Sequence, residues 1–175
     1  IHANAHALSR YAGLCQEAGL VPIVEPEILM EGDHHINICY DISEKVFSEV
    51  FKELENQNIY LGGIILKPSM IVSGTDCPQQ ATIEEVALRT IECLKETVSH
   101  EVPGCAFLSG GQSKESATAH LNAMNVLHRD NLPWNLTFSY GRALQESAIK
   151  LWAKNPESVH DAQHAFLQRA KYNGM

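Results

Sequence analysis

Four short apolar runs constrain this chain more than any other feature. Each closes on polar or glycine residues, and each is followed by a longer amphipathic stretch. The runs are Leu20 to Leu29, Gly62 to Leu66, Cys105 to Leu108 and Leu136 to Tyr140. Near-continuous apolar character is what strands show when both faces of a parallel sheet are covered. The runs therefore predict strands near 20–26, 62–67, 104–109 and 135–140, parallel and adjacent in that order, with helices outside. A lysine at the end of the second run should then point away from the helical layer.

The stretches around the strands read as helices. Residues 2–18 are Ala-rich, with Leu8, Tyr11, Ala12 and Cys15 near a 3.6-residue period, and Gly19 ends the segment. Asp41 with Glu44 predicts a capped helix over 42–56, its apolar face formed by Val46, Phe47, Val50, Phe51 and Leu54. Thr82-Ile83-Glu84-Glu85 has the capping-box pattern and opens a helix over 83–98. Ser113 is placed to cap a helix carrying Leu121, Met124 and Val126. A further helix is expected over 142–153. Asn155-Pro156 then places Pro at the first position of a last helix running towards Tyr172.

This alternation gives an α/β chain, and two architectures fit it. One is an open doubly wound sheet; the other is part of an eight-stranded (β/α) barrel, a TIM barrel. No Gly-x-Gly-x-x-Gly follows the first strand, so the dinucleotide-binding form lacks its mark. A full barrel takes about 250 residues, so four strand–helix units in 175 residues amount to roughly half of one. The chain opens inside a helix without an initiating Met. The expectation is one domain over 1–175 that forms the later half of a barrel, with an N-terminal part preceding it.

Several function classes are disfavoured. The net charge is −8 and no basic stripe offsets it, which argues against nucleic acid. No stretch of about 18 apolar residues and no signal-peptide pattern occurs, so no membrane role is expected. Five cysteines without Cys-x-x-Cys fit reduced thiols and a cytoplasmic location. Nine histidines include no His-Glu-x-x-His, and no Cys/His cluster has zinc spacing. His34 and His35 are adjacent and so point to different sides. No metal site is expected.

The residues with chemical promise fall at the C-terminal ends of the strands. Glu25, Lys67, Ser109 and Ser139 recur at intervals of 42, 42 and 30 residues, as successive strand–helix units would place them. Barrel active sites gather at that end. Lys67 ends Ile64-Ile65-Leu66, and Pro68 holds it extended. Apolar surroundings disfavour the ammonium and favour the nucleophilic amine; the competing reading is a strand-end lysine reaching out to solvent. Glu25 and Glu27 share one strand face, so they can divide proton transfer and charge compensation, or else form rim ion pairs. Ser109-Gly110-Gly111 can bring backbone N–H groups to an anion, or can be a plain turn. Ser139-Tyr140-Gly141-Arg142 repeats the arrangement and adds a planar fork suited to phosphate.

Taken together these segments resemble class I fructose-bisphosphate aldolases, which work through a lysine Schiff base. The motifs that carry the resemblance are Val21-Pro22-Ile23-Val24-Glu25-Pro26-Glu27, Leu66-Lys67-Pro68-Ser69-Met70, Phe107-Leu108-Ser109-Gly110-Gly111-Gln112-Ser113 and Thr137-Phe138-Ser139-Tyr140-Gly141-Arg142-Ala143-Leu144. Arg10-Tyr11-Ala12 and Leu121-Asn122-Ala123-Met124-Asn125 also match. The motifs stand in family order along nearly the whole chain. The resemblance implies reversible cleavage of fructose 1,6-bisphosphate to dihydroxyacetone phosphate and glyceraldehyde 3-phosphate, as in glycolysis. It implies Lys67 as the Schiff-base lysine, Glu25 as the proton-transfer residue and Glu27 as the carboxylate that tunes the site. Ser109, Gly110, Gly111, Ser139, Gly141 and Arg142 would cradle a substrate phosphate. It further implies no cofactor, no metal and a homotetramer. The family's catalytic aspartate, a further lysine and its second phosphate site lie on strands with no counterpart here, and its C-terminal tail with a terminal tyrosine has none either. Two other roles are weighed against this one: a Schiff-base barrel enzyme acting on a sugar monophosphate, such as a transaldolase-like protein, and a non-catalytic scaffold.

Overall fold

The computed structural model describes residues 1–128 and 132–174. In chain order they form α1 (His2–Glu17), β1 (Ile23–Val24), α2 (Ile36–Asn56), a 3-10 turn (Leu61–Gly63), β2 (Ile65–Leu66), α3 (Ile83–Thr97), β3 (Gly104–Phe107), α4 (Lys114–His128), β4 (Asn135–Phe138), α5 (Arg142–Lys154) and α6 (Val159–Gly174). The four strands make one sheet in the order β1-β2-β3-β4, parallel throughout. This is the arrangement the sequence predicted. The ladder runs past the formal strand ends, because Lys67 N donates to the Val24 carbonyl at 2.7 Å and Ser139 N to the Phe107 carbonyl at 2.8 Å.

One face of the sheet is covered and the other is open. Burial alternates from Val21 to Glu27, with Pro22, Val24 and Pro26 buried and Val21, Ile23, Glu25 and Glu27 exposed. Val24, Leu66, Cys105 and Phe107 point into a helical layer and meet a core that includes Phe47, Leu54, Ile91, Leu94 and Met124. Each such large side chain contributes about 1.5–3 kcal/mol on burial. The helices α1 to α4 pack in sequence order, and α6 packs on α5. Among the described residues no helix is long and apolar enough to cross a membrane.

Local rules explain most boundaries. Gly19, at φ +73°, lets Leu20 N reach the Cys15 carbonyl and close α1. The Thr82 hydroxyl accepts from Glu85 N at 3.1 Å and starts α3 as its capping box foretold. Ser113 likewise accepts from Ser116 N at 3.0 Å.

Four boundaries or faces differ from the sequence reading. The second helix begins at Ile36 rather than 42, with His35 as its cap, because Ile36, Cys39, Tyr40 and Ser43 continue the buried stripe of Phe47, Val50 and Leu54 one turn at a time. Asp41 therefore lies inside α2. Gly62 and Gly63 belong to a 3-10 turn, not to the strand, since Gly63 N bonds the Tyr60 carbonyl and the Tyr60 ring lies over both glycines. Pro156 sits in a turn before α6 instead of opening it. The Asn155 side chain accepts from Glu157 N at 3.2 Å, and the helix hydrogen bonds begin with Ala162 N to the Ser158 carbonyl. Finally, Leu121 and Met124 are buried but Val126 is exposed.

Candidate active site

The register places Ile23 beside Ile65 and Val24 beside Leu66. The next residue on each strand is therefore a neighbour of the next on the other, and those residues are Glu25 and Lys67. Both share the open face with Ile23 and Ile65. Lys67 Nζ lies 2.9 Å from Glu25 Oε1, with the two side chains 20% and 41% exposed. Lys67 thus points away from the helices. Glu27 lies on the same open face, but Glu25 is the carboxylate in contact with the lysine. A hydrogen-bonded amine and carboxylate at this distance can exchange a proton directly.

The loops that follow β1 and β2 are tied to each other. Ser69, buried beside Lys67, accepts from Ile28 N at 2.9 Å and donates to the Ile28 carbonyl at 3.4 Å. Farther out, Gly74 N bonds the His34 carbonyl, Thr75 N the Met30 carbonyl and Asp76 N the Gly32 carbonyl. Gly74 is needed for that approach, because a Cβ there would stand 2.3 Å from the Gly32 carbonyl oxygen. Thr90 on α3 accepts from Ile71 N at 2.9 Å. The loop bearing Lys67 is thereby fastened to the loop bearing Glu25 and to the core.

The other half of the site is built from backbone. Gly110 and Gly111 adopt φ of +59° and +88°, a region that glycine enters without strain. Ser109 accepts from Gln112 N to close the turn. Arg142, at the first position of α5, lies close against it: a Cβ on Gly111 would be 3.5 Å from Arg142 Nη2. Gly141 precedes α5 and no side chain caps that helix. Leu144 N and Gln145 N turn back to the Gly141 carbonyl, while the N–H groups ahead of them have no intrahelical acceptor and add the dipole's positive end to the guanidinium. The structure thus brings Ser109, Gly110, Gly111, Ser139, Gly141 and Arg142 onto two consecutive strand-to-helix turns, an arrangement suited to an oxyanion.

Sequence reasoning passed over two supports of this site. Ser69 was visible only as part of a motif. His120 occupies a stripe position on α4 with Ala117, Leu121 and Met124, and is 8% exposed. Its Nδ1 lies 2.6 Å from Gln112 Oε1, while Gln112 Nε2 contacts Met70 Sδ at 3.5 Å. His120 therefore backs the glycine loop, and burial lowers its pKa, which keeps the ring neutral. The five cysteines are free thiols; burial pushes Cys93 and Cys105 up to about 12, which makes them poor nucleophiles.

Comparison with known proteins places this geometry. A family model described as fructose-bisphosphate aldolase class-I matches residues 1–175. The chain is 54% identical over 176 residues to a probable fructose-bisphosphate aldolase class 1 of Xanthomonas campestris, covering 100% of this chain and 52% of that protein. It is 49% identical to fructose-bisphosphate aldolase B of Gallus gallus, covering 100% of this chain and 48% of the relative. Among solved structures, fructose-bisphosphate aldolase from Plasmodium falciparum, in complex with TRAP and a small-molecule inhibitor, superposes with a TM-score of 0.94 at 46% identity. That match covers 98% of this chain and 49% of the other. The chain spans about half the length of the relatives it matches. The four parallel strands and their helices are those of a partial (β/α) barrel, and the chain belongs to the class I fructose-bisphosphate aldolase family.

Proposed function

We propose that residues 1–175 supply the Schiff-base half of a class I fructose-bisphosphate aldolase, as strands five to eight of the barrel. The observation that carries this reading is the 2.9 Å contact between Lys67 Nζ and Glu25 Oε1 at the ends of adjacent parallel strands. Glu25 takes a proton from Lys67, and the free amine attacks the ketone carbon of fructose 1,6-bisphosphate. The same carboxyl returns the proton to the carbinolamine hydroxyl, which leaves as water. The resulting iminium accepts the electron pair of the breaking C3–C4 bond and becomes an enamine, while a base supplied by the rest of the barrel takes the C4 hydroxyl proton and glyceraldehyde 3-phosphate departs. Return of that proton to C3 gives an iminium again, and its hydrolysis frees dihydroxyacetone phosphate and restores Lys67. Glu27 supplies negative potential near the iminium.

Ser109, Gly110, Gly111, Ser139, Gly141 and Arg142 hold the phosphate next to the ketone. Fixing that phosphate fixes the ketone carbon relative to Lys67. Neither step calls on a metal or cofactor, and the proposal includes the homotetrameric, cytoplasmic form that the family resemblance implies. Membership in this family favours a bisphosphate substrate over a sugar monophosphate.

Closure matters to the reading. Eight strands close a barrel and remove its edges. The four strands here leave β1 and β4 as edges, and Ile23 is 42% exposed on the open face. Residues 1–175 expressed alone should therefore dimerise edge to edge or aggregate, and be nearly inactive. The longest natural polypeptide that carries them should cleave fructose 1,6-bisphosphate with a chelator present. A soluble monomer of residues 1–175 with normal turnover would overturn the half-barrel assignment. Cleavage abolished by chelation would overturn the Schiff-base one.

A further inference from the structure

The linear spacing of the histidines offers no metal site, but the fold gathers histidines and glutamates that lie 47 residues apart in sequence. His2 and His6 stand one turn apart on α1, and Glu49 and Glu53 one turn apart on α2. The helices are keyed together by side-chain bonds. Ser9 Oγ donates to the Glu53 carbonyl at 2.7 Å, and just past the end of α2 Gln16 Nε2 donates to the Tyr60 carbonyl at 2.9 Å. That register brings the imidazoles onto the carboxylates. His2 Nδ1 is 2.8 Å from Glu49 Oε1 and 3.9 Å from Glu53 Oε1, and His6 Nδ1 is 2.9 Å from Glu53 Oε2. One ligand atom from each of His2, Glu49 and Glu53 lies within 4.8 Å of the other two.

We propose that His2, Glu49 and Glu53 form a binding site for a divalent cation of the zinc class, which clamps α1 to α2 on the helical layer. Tetrahedral bonds of about 2.1 Å put ligand atoms about 3.4 Å apart. The observed 2.8 and 3.9 Å separations bracket that value. His2 is 71% exposed at its side chain and is free to make the small adjustment. The donor set decides the ion. An imidazole with two carboxylates suits zinc, cobalt, nickel or copper, whereas magnesium and calcium favour oxygen alone.

Glu53 makes the site more than a chance meeting of surface charges. It is 5% exposed and held from two sides, with Asn56 Nδ2 donating to Oε1 at 2.9 Å and His6 meeting Oε2. Such supporting hydrogen bonds orient a carboxylate for a metal. Lys52 Nζ, 3.5 Å from Glu49 Oε2 and exposed, is the competing cation that a metal would displace. The cluster shares no residue with the Lys67 site, so its role is structural and independent of the aldolase reading.

The test uses the longest natural polypeptide carrying residues 1–175, untagged and stripped with a chelator. Cys15→Ser serves as background, because that thiol is only half-buried and could compete for the ion. Zinc is titrated against a chromophoric competitor, cobalt binding is read from its visible spectrum, and Tm is followed with and without zinc. The expected result is one zinc per chain, a cobalt spectrum without thiolate charge transfer, and a Tm raised by zinc. His2→Ala should weaken zinc by at least about tenfold, the loss typical of removing even a group that merely supports a ligand. His2 and His6 are exposed, so the double variant His2→Ala/His6→Ala should fold and show no zinc-dependent Tm shift. Aldol cleavage should be unchanged in both variants. No saturable zinc binding in the competitor titration would show the cluster to be a plain ion-pair network. Zinc binding that survives the double variant would equally overturn the proposal.

Discussion

The two halves of the site reach the same end of the sheet by different means. The β1–β2 half, with Glu25 and Lys67, rests on strands of two residues each and two register pairs. Its placement comes from the loops beyond, fastened through Ser69, Gly74, Thr75 and Asp76. The β3–β4 half rests on strands of four residues and four register pairs, and the groups proposed to face the anion are glycine backbone, one helix N-terminus and one arginine. Proton transfer needs two side chains held at hydrogen-bond distance, so that half is cross-braced, by the Ser69 side chain and by three backbone bonds between its loops. Anion binding needs converging donors, which a regular ladder ending in glycines supplies. Damage to the first half should therefore fall on the chemical step, and damage to the second on binding.

The sharpest contrast pairs one substitution from each half. In the longest natural polypeptide, Lys67→Ala should cost at least about 10⁴-fold in kcat, as loss of a nucleophile does. Arg142→Ala should instead raise KM by about 10- to 100-fold, the worth of a charge-assisted hydrogen bond or two, and affect kcat less. Steady-state kinetics on fructose 1,6-bisphosphate separates the two. An Arg142→Ala variant with unchanged KM and a collapsed kcat would merge the halves.

Ser69→Ala tests the bracing. It leaves the Ile28 N–H without its acceptor and should destabilise the protein by about 1–3 kcal/mol, read as a lower denaturation midpoint. It should also lower kcat while leaving KM for the substrate nearly unchanged. If KM moved and kcat did not, the brace would serve the anion half instead.

The smallest effect concerns His120 behind the glycine loop. Burial depresses its folded-state pKa, so the unfolded chain binds the proton more readily. Stability from the neutral ring is fully present above the ordinary histidine value of about 6.5 and is lost as pH falls through it towards the lower folded value. The denaturant midpoint should be lower at pH 5.5 than at pH 7.5, and His120→Asn should narrow that gap. An unchanged gap would assign the pH dependence elsewhere.

The order of strands and the meeting of Glu25 with Lys67 were legible because both follow from apolar runs with polar ends. Once strands are parallel and consecutive, residues just past their ends become neighbours. The start of α2 was not legible: Ile36-Asn37-Ile38-Cys39-Tyr40 carries β-branched and aromatic residues, and only tertiary burial of Ile36, Cys39 and Tyr40 makes it helical. Pro156 misled because Asn155 competes with a helix start by forming its own turn. The loop bracing was hidden for another reason. Gly74 to His34 and Thr75 to Met30 are backbone bonds, which leave no side-chain signature at either end. The meeting of His2 with Glu49 depends on how α1 and α2 slide against each other, a quantity no local pattern encodes.

The account turns on which lysine forms the imine. The direct measurement is borohydride reduction of the longest natural polypeptide in the presence of dihydroxyacetone phosphate, followed by peptide mapping. The account predicts one covalent adduct at Lys67, absent in Lys67→Ala and in Lys67→Arg, since a guanidinium stays protonated and is a poor nucleophile. An adduct on any other lysine, or no adduct under conditions where the protein turns over, would contradict it.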